Sequence, residues 1–130
     1  MKRMAWALLL ALSLAACGEQ KESSASYTTI DPETAKTMME EHADAVILDV
    51  REEDEFVDGH IPGAVLLPVN TITARRAALV IPSKDTTVLV YCRSGSRSKT
   101  ASRTLAELGY TAIYDFGGIM DWPYDTVYEE

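Results

Sequence analysis

Residues 86–98, TTVLVYCRSGSRS, carry the pattern that decides the fold. Residues 86–91 are uncharged and rich in β-branched side chains, and they give the strongest strand pattern of the chain. Small and polar residues follow Cys92, and a helical pattern then runs over about 96–108, where Gly109 ends it. This strand, loop and helix predict an α/β fold.

Weaker strand and helix patterns alternate on both sides of this unit. Further strands are predicted at residues 27–30, 45–50, 64–67 and 111–114. Further helices are predicted at residues 32–41, 52–57 and about 70–78. Strands that alternate with helices favour a parallel sheet with helices on both faces. Ligands in such folds bind at the carboxyl ends of the strands, where the segments that begin at Asp49 and at Cys92 are both expected.

Length and composition are those of one ordinary soluble domain. The chain has 130 residues, of which 47% are hydrophobic and 25% are charged. These values exclude a disordered chain, a collagen-like fibre and a protein with many membrane spans. Acidic residues outnumber basic ones by 20 to 12, which gives a net charge of -8. This balance argues against DNA or RNA as a partner, because phosphates need a broad basic surface.

The charges are unevenly distributed along the chain. Residues 18–58 hold 13 acidic and 3 basic side chains, and residues 107–130 hold 6 acidic and no basic ones. Residues 59–106 hold one acidic side chain and seven basic ones. The basic side chains are those of Arg75, Arg76, Lys84, Arg93, Arg97, Lys99 and Arg103. One cationic segment in an acidic chain indicates a site for a small anion rather than for a polymer.

The first residues have the pattern of an export signal. Lys2 and Arg3 precede an apolar stretch, residues 4–14, which is shorter than the about 20 residues that cross a bilayer. The following LAACG at residues 14–18 resembles a bacterial lipobox, in which Cys17 would become the lipidated first residue of an exported lipoprotein. The alternative is an ordinary signal peptide that is cut before an incidental cysteine.

We therefore divide the chain into three parts. Residues 1–16 are predicted to be a lipoprotein signal peptide, 17–26 a lipidated cysteine with a flexible tether, and 27–126 the folded domain. The resemblance to a lipobox also implies a location, because Gly18 rather than an aspartate after the lipidated cysteine favours the periplasmic face of the outer membrane in a Gram-negative cell. The membrane is then a partner of the protein through its N-terminal lipid.

Lipidation of Cys17 would leave Cys92 as the only free thiol, either buried in the core or used in chemistry. Its expected place before a helix N-terminus, with Arg93 and Arg97 nearby, favours the thiolate and hence a nucleophile near neutral pH. Gly95 would let the backbone fold closely around an anion. The alternative is a structural cysteine that packs as a small hydrophobe.

Two reaction classes use a loop of this kind. Phosphatases enclose a phosphoryl group between a cysteine and an arginine at the spacing C-x5-R. Sulfurtransferases need a smaller loop around a terminal sulfur. Cys92 and Arg97 are spaced C-x4-R, one residue short of the phosphatase loop. The spacing favours sulfur transfer, and a phosphatase-like enzyme remains the second hypothesis.

The motifs of the chain resemble those of the rhodanese, or thiosulfate sulfurtransferase, family. The resemblance rests on VILDVR at 46–51, EF at 55–56, GHIPGA at 59–64, VYCRSGSRS at 90–98, GY at 109–110 and GGIMDW at 117–122. These motifs stand in the order of the family and span residues 27 to about 124. The resemblance implies a rhodanese-like α/β fold with a parallel sheet and helices on both faces.

The resemblance also implies a mechanism. Cys92 would attack the outer sulfur of thiosulfate and become a persulfide, and a thiol or cyanide acceptor would then take the sulfur. No metal or organic cofactor is implied. The residues that would bind the donor or the persulfide are Arg93, Ser94, Gly95, Ser96 and Arg97. A catalytically idle rhodanese-like module that binds partners is the third hypothesis.

Three polar residues outside the loop have weaker claims to a role. Asp49 and Arg51 end the neighbouring strand, where they are expected to support the loop through hydrogen bonds or an ion pair. His60 is interpreted as a structural residue, because its surroundings predict a turn and an ionised cysteine needs no base. The acidic run 52–55 is interpreted as solvated, and nothing in the sequence has metal-ligand spacing.

Overall fold

A computed structural model of the protein describes residues 26–130. The predicted signal peptide and the lipidation site at Cys17 lie outside the described residues. The described residues include the whole segment that carries the sequence motifs.

Within residues 26–130, five strands form one parallel sheet. They are β1 (Thr28–Thr29), β2 (Val46–Asp49), β3 (Val65–Leu66), β4 (Thr87–Cys92) and β5 (Ala112–Gly118). The order across the sheet is β1-β5-β4-β2-β3, and each neighbouring pair is parallel. The predicted α/β class with a parallel sheet is therefore confirmed.

Helices and two short 3-10 turns connect the strands. The helices are α1 (Pro32–Glu41), α2 (Glu53–Asp58), α3 (Ala74–Val80) and α4 (Ser96–Glu107), and the turns are Val69–Thr71 and Ile119–Asp121. The start of α1 follows from its sequence, because the Asp31 carboxylate accepts a hydrogen bond from the Thr34 amide at 2.7 Å and proline occupies the first turn. Among residues 26–130, no helix is both long and apolar enough to cross a membrane.

The two faces of the sheet carry separate apolar clusters, because successive side chains of a strand point to opposite faces. On one face Val88, Val90 and Cys92 of β4 pack with side chains of α3 and α4. On the other face Leu89 and Tyr91 of β4 pack with side chains of α1 and of the C-terminal segment. The strand predicted at residues 86–91 is thus the central β4, covered on both faces.

Two predicted elements have different bounds in the structure. The helix predicted over about 70–78 is a 3-10 turn followed by α3, because the Thr73 hydroxyl accepts from the Arg76 amide and starts a new helix. The strand predicted at 111–114 continues to Gly118 as β5, so Gly117 and Gly118 form the end of the strand.

The C-terminal segment lies against the connection between α2 and β3. Backbone amides and carbonyls of His60 and Val127 bond reciprocally, at 2.7 and 2.8 Å. The Glu129 amide also donates to the Val57 carbonyl at 3.0 Å. These bonds hold the end of the described chain beside α2.

Gly118 is the position where β5 comes closest to the loop after β4. A Cβ atom there would collide with the carbonyl group of Arg93 and with Cα of Ser94. We expect Gly118→Ala to lower the free energy of unfolding by about 1–3 kcal/mol, as for other overpacked sites, in urea denaturation.

Gly59→Ala is the matched control for this substitution. The atom nearest to a Cβ added at Gly59 would be the Val127 carbonyl oxygen, at 4.0 Å, so there is room for a methyl group. Equal urea midpoints for Gly118→Ala and the wild type would contradict the close approach of β5 to the loop.

Candidate active site

Cys92 is the last residue of β4 and lies at the carboxyl edge of the sheet. Only 1% of its surface is exposed, and it is the free cysteine of the described part of the chain. Its Sγ accepts a hydrogen bond from the Gly95 amide at 3.0 Å. The sulfur is therefore enclosed by the loop that follows it, and a charge on it would be stabilised by that amide.

The loop from Arg93 to Gly95 reverses the chain from β4 into α4. Gly95 has φ = +111°, in the left-handed region that L side chains rarely adopt, so glycine is required for this turn. The turn places the Gly95 amide over the sulfur. Gly95 is buried, whereas Arg93 and Ser94 are exposed.

The N-terminus of α4 begins at Ser96, immediately after the turn, and no side chain caps it. The first amides of a helix lack partners within the helix, and the helix dipole adds partial positive charge at this end. The end of α4 that adjoins the Cys92 loop is therefore suited to an anion.

Polar contacts fix the loop to its surroundings. The buried Ser98 hydroxyl donates to the Gly95 carbonyl at 3.1 Å and lies 3.5 Å from the Gly117 carbonyl oxygen of β5. The Arg93 carbonyl accepts from the Met120 amide at 3.2 Å. The position of the loop therefore depends on β5 and on the segment after it.

Arg97 forms a two-bond ion pair with Glu55 of α2. Nη1 donates to Oε1 at 2.7 Å, and Nη2 donates to Oε2 at 2.9 Å. The two side chains are 33% and 26% exposed, so the pair lies at the surface of the site. It links α2 to the first turn of α4.

The ion pair changes how both groups ionise. Hydrogen bonds from Arg97 lower the pKa of Glu55 to about 2, and the Glu52 amide, 3.0 Å from Oε1, contributes to this shift. The same bonds raise the pKa of Arg97 above its ordinary value. Glu55 is thus an anion at neutral pH.

A buried polar network lies beside the loop. The Asp49 carboxylate accepts from the Arg51 amide at 3.0 Å and from Arg51 Nη2 at 2.7 Å. Arg51 Nη2 also donates to the Gly59 carbonyl at 2.7 Å. The Tyr91 hydroxyl donates to Asp49 Oδ2 at 2.6 Å and accepts from the Ile61 amide at 3.1 Å.

Tyr91 connects this network to the nucleophile, because it precedes Cys92 in β4. Burial raises the pKa of Tyr91 far above its ordinary value, and the nearby Asp49 raises it further. The hydroxyl therefore stays protonated and keeps donating to Asp49. The network fixes the end of β4 from the face opposite to α4.

His60 has a structural environment. Its Nδ1 is 2.9 Å from the Phe56 carbonyl oxygen, and its ring stacks on the Phe56 ring at 3.7 Å between centroids. Its Nε2 is 3.9 Å from a carboxylate oxygen of Glu129. These contacts agree with the structural interpretation of His60.

Comparison with known protein families gives one decisive match. The profile of the Rhodanese-like domain family matches residues 31–124, most of the chain. The protein belongs to the rhodanese-like family.

Relatives of known name support this assignment. The thiosulfate sulfurtransferase PspE of Escherichia coli (strain K12) is 36% identical over 74 residues, 57% of this chain and 70% of PspE. A sulfurtransferase of Allochromatium vinosum is 35% identical over 94 residues, 72% of this chain and 85% of that protein. Sulfur transfer is therefore the general chemistry of the relatives of this rhodanese-like chain.

A solved structure agrees with the fold. The structure described as rhodanese with anions from Escherichia coli superposes with a TM-score of 0.60 at 33% identity, covering 65% of this chain and 98% of that one. The rhodanese-like fold that the motifs implied is therefore confirmed.

The structure brings together some of the sequence-predicted site residues and separates others. Cys92, Gly95 and Arg97 lie in one rhodanese-like loop and the helix turn behind it, whereas Arg93, Ser94 and Ser96 have exposed side chains. Asp49 and Arg51 pair with each other and reach the loop through Tyr91, without contacting its side chains directly.

Glu55 is the residue of the site that sequence reasoning missed. The acidic run 52–55 was expected to be solvated. For Glu55 this interpretation is wrong, because its carboxylate pairs with Arg97 and also accepts a hydrogen bond from the Glu52 amide. Its partner is 42 residues away along the chain, so no local pattern indicates the pair.

A cleft lies on the other face of the sheet, away from the rhodanese-like loop. Its volume is about 570 Å³. It is lined by Lys36, Met39, Glu40, Ile47, Ile61, Pro62, Trp122, Pro123, Tyr124 and Asp125. None of the predicted loop residues lines it, so the cleft is separate from the Cys92 loop.

The lowered pKa of Glu55 predicts a pH-dependent stability. The pKa of Glu55 falls from its ordinary 4.5 to about 2, so the pair stabilises the folded state above about pH 4.5. This stabilisation is lost as the pH falls towards 2. Glu55→Gln should therefore lower the urea midpoint at pH 6 and have little effect at pH 2.

Glu53→Gln is the control for this measurement, since it removes an exposed acidic side chain from the same helix turn. Its effect on the urea midpoint should be smaller than that of Glu55→Gln at pH 6. Equal effects of the two substitutions at pH 6 would show that the ion pair does not stabilise the fold.

Proposed function

We propose that this protein is a sulfurtransferase that moves sulfane sulfur from thiosulfate, or a related anionic donor, to a thiophilic acceptor through a persulfide on Cys92. The observation that carries the proposal is the hydrogen bond from the Gly95 amide to Cys92 Sγ, in a loop that ends at a helix N-terminus. Donors of this kind stabilise negative charge, such as that of the persulfide which the proposal places here.

In the first half-reaction, the Cys92 thiol loses its proton to solvent, and the thiolate attacks the outer sulfur of thiosulfate. A sulfur–sulfur bond forms to Cys92, and the sulfur–sulfur bond of thiosulfate breaks. Sulfite leaves with the electron pair of the broken bond. The loop amides and the N-terminus of α4 stabilise the persulfide anion that remains.

In the second half-reaction, the acceptor takes the outer sulfur. Cyanide attacks that sulfur and becomes thiocyanate, while the electron pair of the persulfide bond returns to Cys92. A thiol acceptor, once deprotonated, attacks in the same way and becomes a persulfide. The covalent intermediate predicts ping-pong kinetics.

The comparisons and the loop length support thiosulfate as donor and argue against a phosphatase-like reaction. One relative is named a thiosulfate sulfurtransferase, and the solved Escherichia coli relative is described with anions. Four residues separate Cys92 from Arg97, and the Gly95 amide donates a hydrogen bond to Cys92 Sγ. The loop around the sulfur is therefore small. Among residues 26–130, no group of metal-binding side chains is present.

Substitution of the nucleophile gives the direct test. The purified full chain should gain the mass of one sulfur atom from thiosulfate and should form thiocyanate with cyanide. Cys92→Ser should lose both signals, because a hydroxyl forms no persulfide. Cys17→Ser, which removes the other cysteine of the chain, should keep both signals.

Other outcomes would replace the proposal. Sulfur transfer by Cys92→Ser would exclude Cys92 as the nucleophile. Cys92-dependent turnover of an aryl phosphate, without sulfur gain, would establish the phosphatase-like reaction. A thiol that is inert to alkylation at neutral pH would indicate a binding module without catalysis.

We also propose that the protein is an exported bacterial lipoprotein, anchored through Cys17 at the periplasmic face of the outer membrane. The LAACG sequence at 14–18 and the preceding apolar stretch support this location. In bacterial cells grown with labelled palmitate, the wild type should carry label in the membrane fraction. Cys17→Ser should carry none, and label retained by that variant would contradict the anchor.

A further inference from the structure

Arg97 has the position expected of a donor-binding cation, but both of its terminal nitrogens already bond to Glu55. A sulfur oxyanion would present two oxygens to a guanidinium in much the same way as a carboxylate does. The carboxylate of Glu55 therefore occupies the place that an anion on Arg97 would take.

We propose that Glu55 is a specificity-determining residue, an internal competitor that weakens the binding of tetrahedral oxyanions beside Cys92. This inference rests on the proposed function, because it assigns the anion site of that reaction. Oxyanions without a transferable sulfur, such as sulfate, bind weakly because they must displace Glu55. A donor that also bonds through its outer sulfur can displace it.

Three observations favour competition over a purely structural pair. The pKa of about 2 keeps Glu55 charged, so the competitor is always present at working pH. The pair is only partly buried, so an anion from solvent can reach it. Arg97 also lies in the first turn of α4, two residues after Gly95, whose amide bonds to Cys92 Sγ, so its charge belongs to the segment that encloses the thiol.

The second bond of Glu55 guides the choice of substitution. Oε1 accepts from the Glu52 amide at 3.0 Å, within the first turn of α2, and the same atom accepts from Arg97 Nη1. The amide oxygen of a glutamine at position 55 can keep these bonds, while its NH2 group cannot accept from Arg97 Nη2. Glu55→Gln therefore removes the negative charge and frees Arg97 Nη2, and it retains the cap of the helix.

The test measures anion binding without sulfur transfer. Sulfate should protect Cys92 of the full-length chain from alkylation by iodoacetamide, an uncharged reagent. Glu55→Gln should need about three- to tenfold less sulfate for half-protection, since Arg97 becomes available for a charge-assisted bond. Glu53→Gln removes an equal charge from the same turn and should stay closer to the wild type.

A double substitution separates competition from a general effect of charge. In an Arg97→Ala background, Glu55→Gln should no longer change the sulfate concentration for half-protection, because the competed group is absent. The shift of the melting temperature by sulfate gives a second reading that does not depend on thiol reactivity.

The outcomes are distinguishable from a failure of the proposed function. Weaker or unchanged sulfate protection in a folded Glu55→Gln variant would overturn the inference and assign Glu55 to holding Arg97 in place. An equal gain in the Arg97→Ala background would overturn it too. Absence of sulfur gain from thiosulfate in the wild type would instead overturn the proposed reaction, whatever sulfate does.

Discussion

The buried Asp49 carboxylate is the constraint on which the reactive end of the sheet depends. It lies at the end of β2 with no exposed surface, and it binds Arg51 and the Tyr91 hydroxyl. A buried charge is tolerated only when it is paired and hydrogen-bonded, so these partners have little freedom to move. Through Tyr91 the network fixes the residue before Cys92, and through the Gly59 carbonyl it fixes the connection that follows α2.

Charged residues that lie far apart in sequence pair with each other in the fold. The distribution of charges along the chain therefore does not show which side chains are free to bind an anion. The cationic middle segment predicted a site for a small anion, but its Arg97 pairs with Glu55 from the acidic N-terminal part. Lys84 of the same segment binds the Leu108 carbonyl at 3.0 Å at the C-terminal end of α4, far in sequence from Cys92. Backbone amides such as that of Gly95 add to the positive field that an anion meets, and sequence composition does not record them.

Local patterns predicted the centre of the fold and not its long-range pairs. Residues 86–98 were predictable as a strand, a loop and the start of a helix. The apolar run, the glycine and the helical periodicity that indicate these elements are all local signals. The last strand was predicted too short because Asp115 interrupts its apolar run; the structure buries that side chain, with a bond from the Gly117 amide. The pair of Glu55 with Arg97 had no local signal at all, since only the parallel topology brings α2 and α4 to one edge.

The order of the strands also has a consequence for how the chain is made. Thr28 of β1 pairs with Tyr114 of β5, and β5 lies between β1 and β4, so the sheet cannot close until nearly the whole domain has been synthesised. Pairings this distant in sequence form slowly, because a long loop must be ordered first. A nascent chain of this topology therefore stays unfolded while its N-terminal residues are already outside the ribosome. On the proposed export route, machinery that threads extended chains would meet its substrate before the fold could obstruct passage.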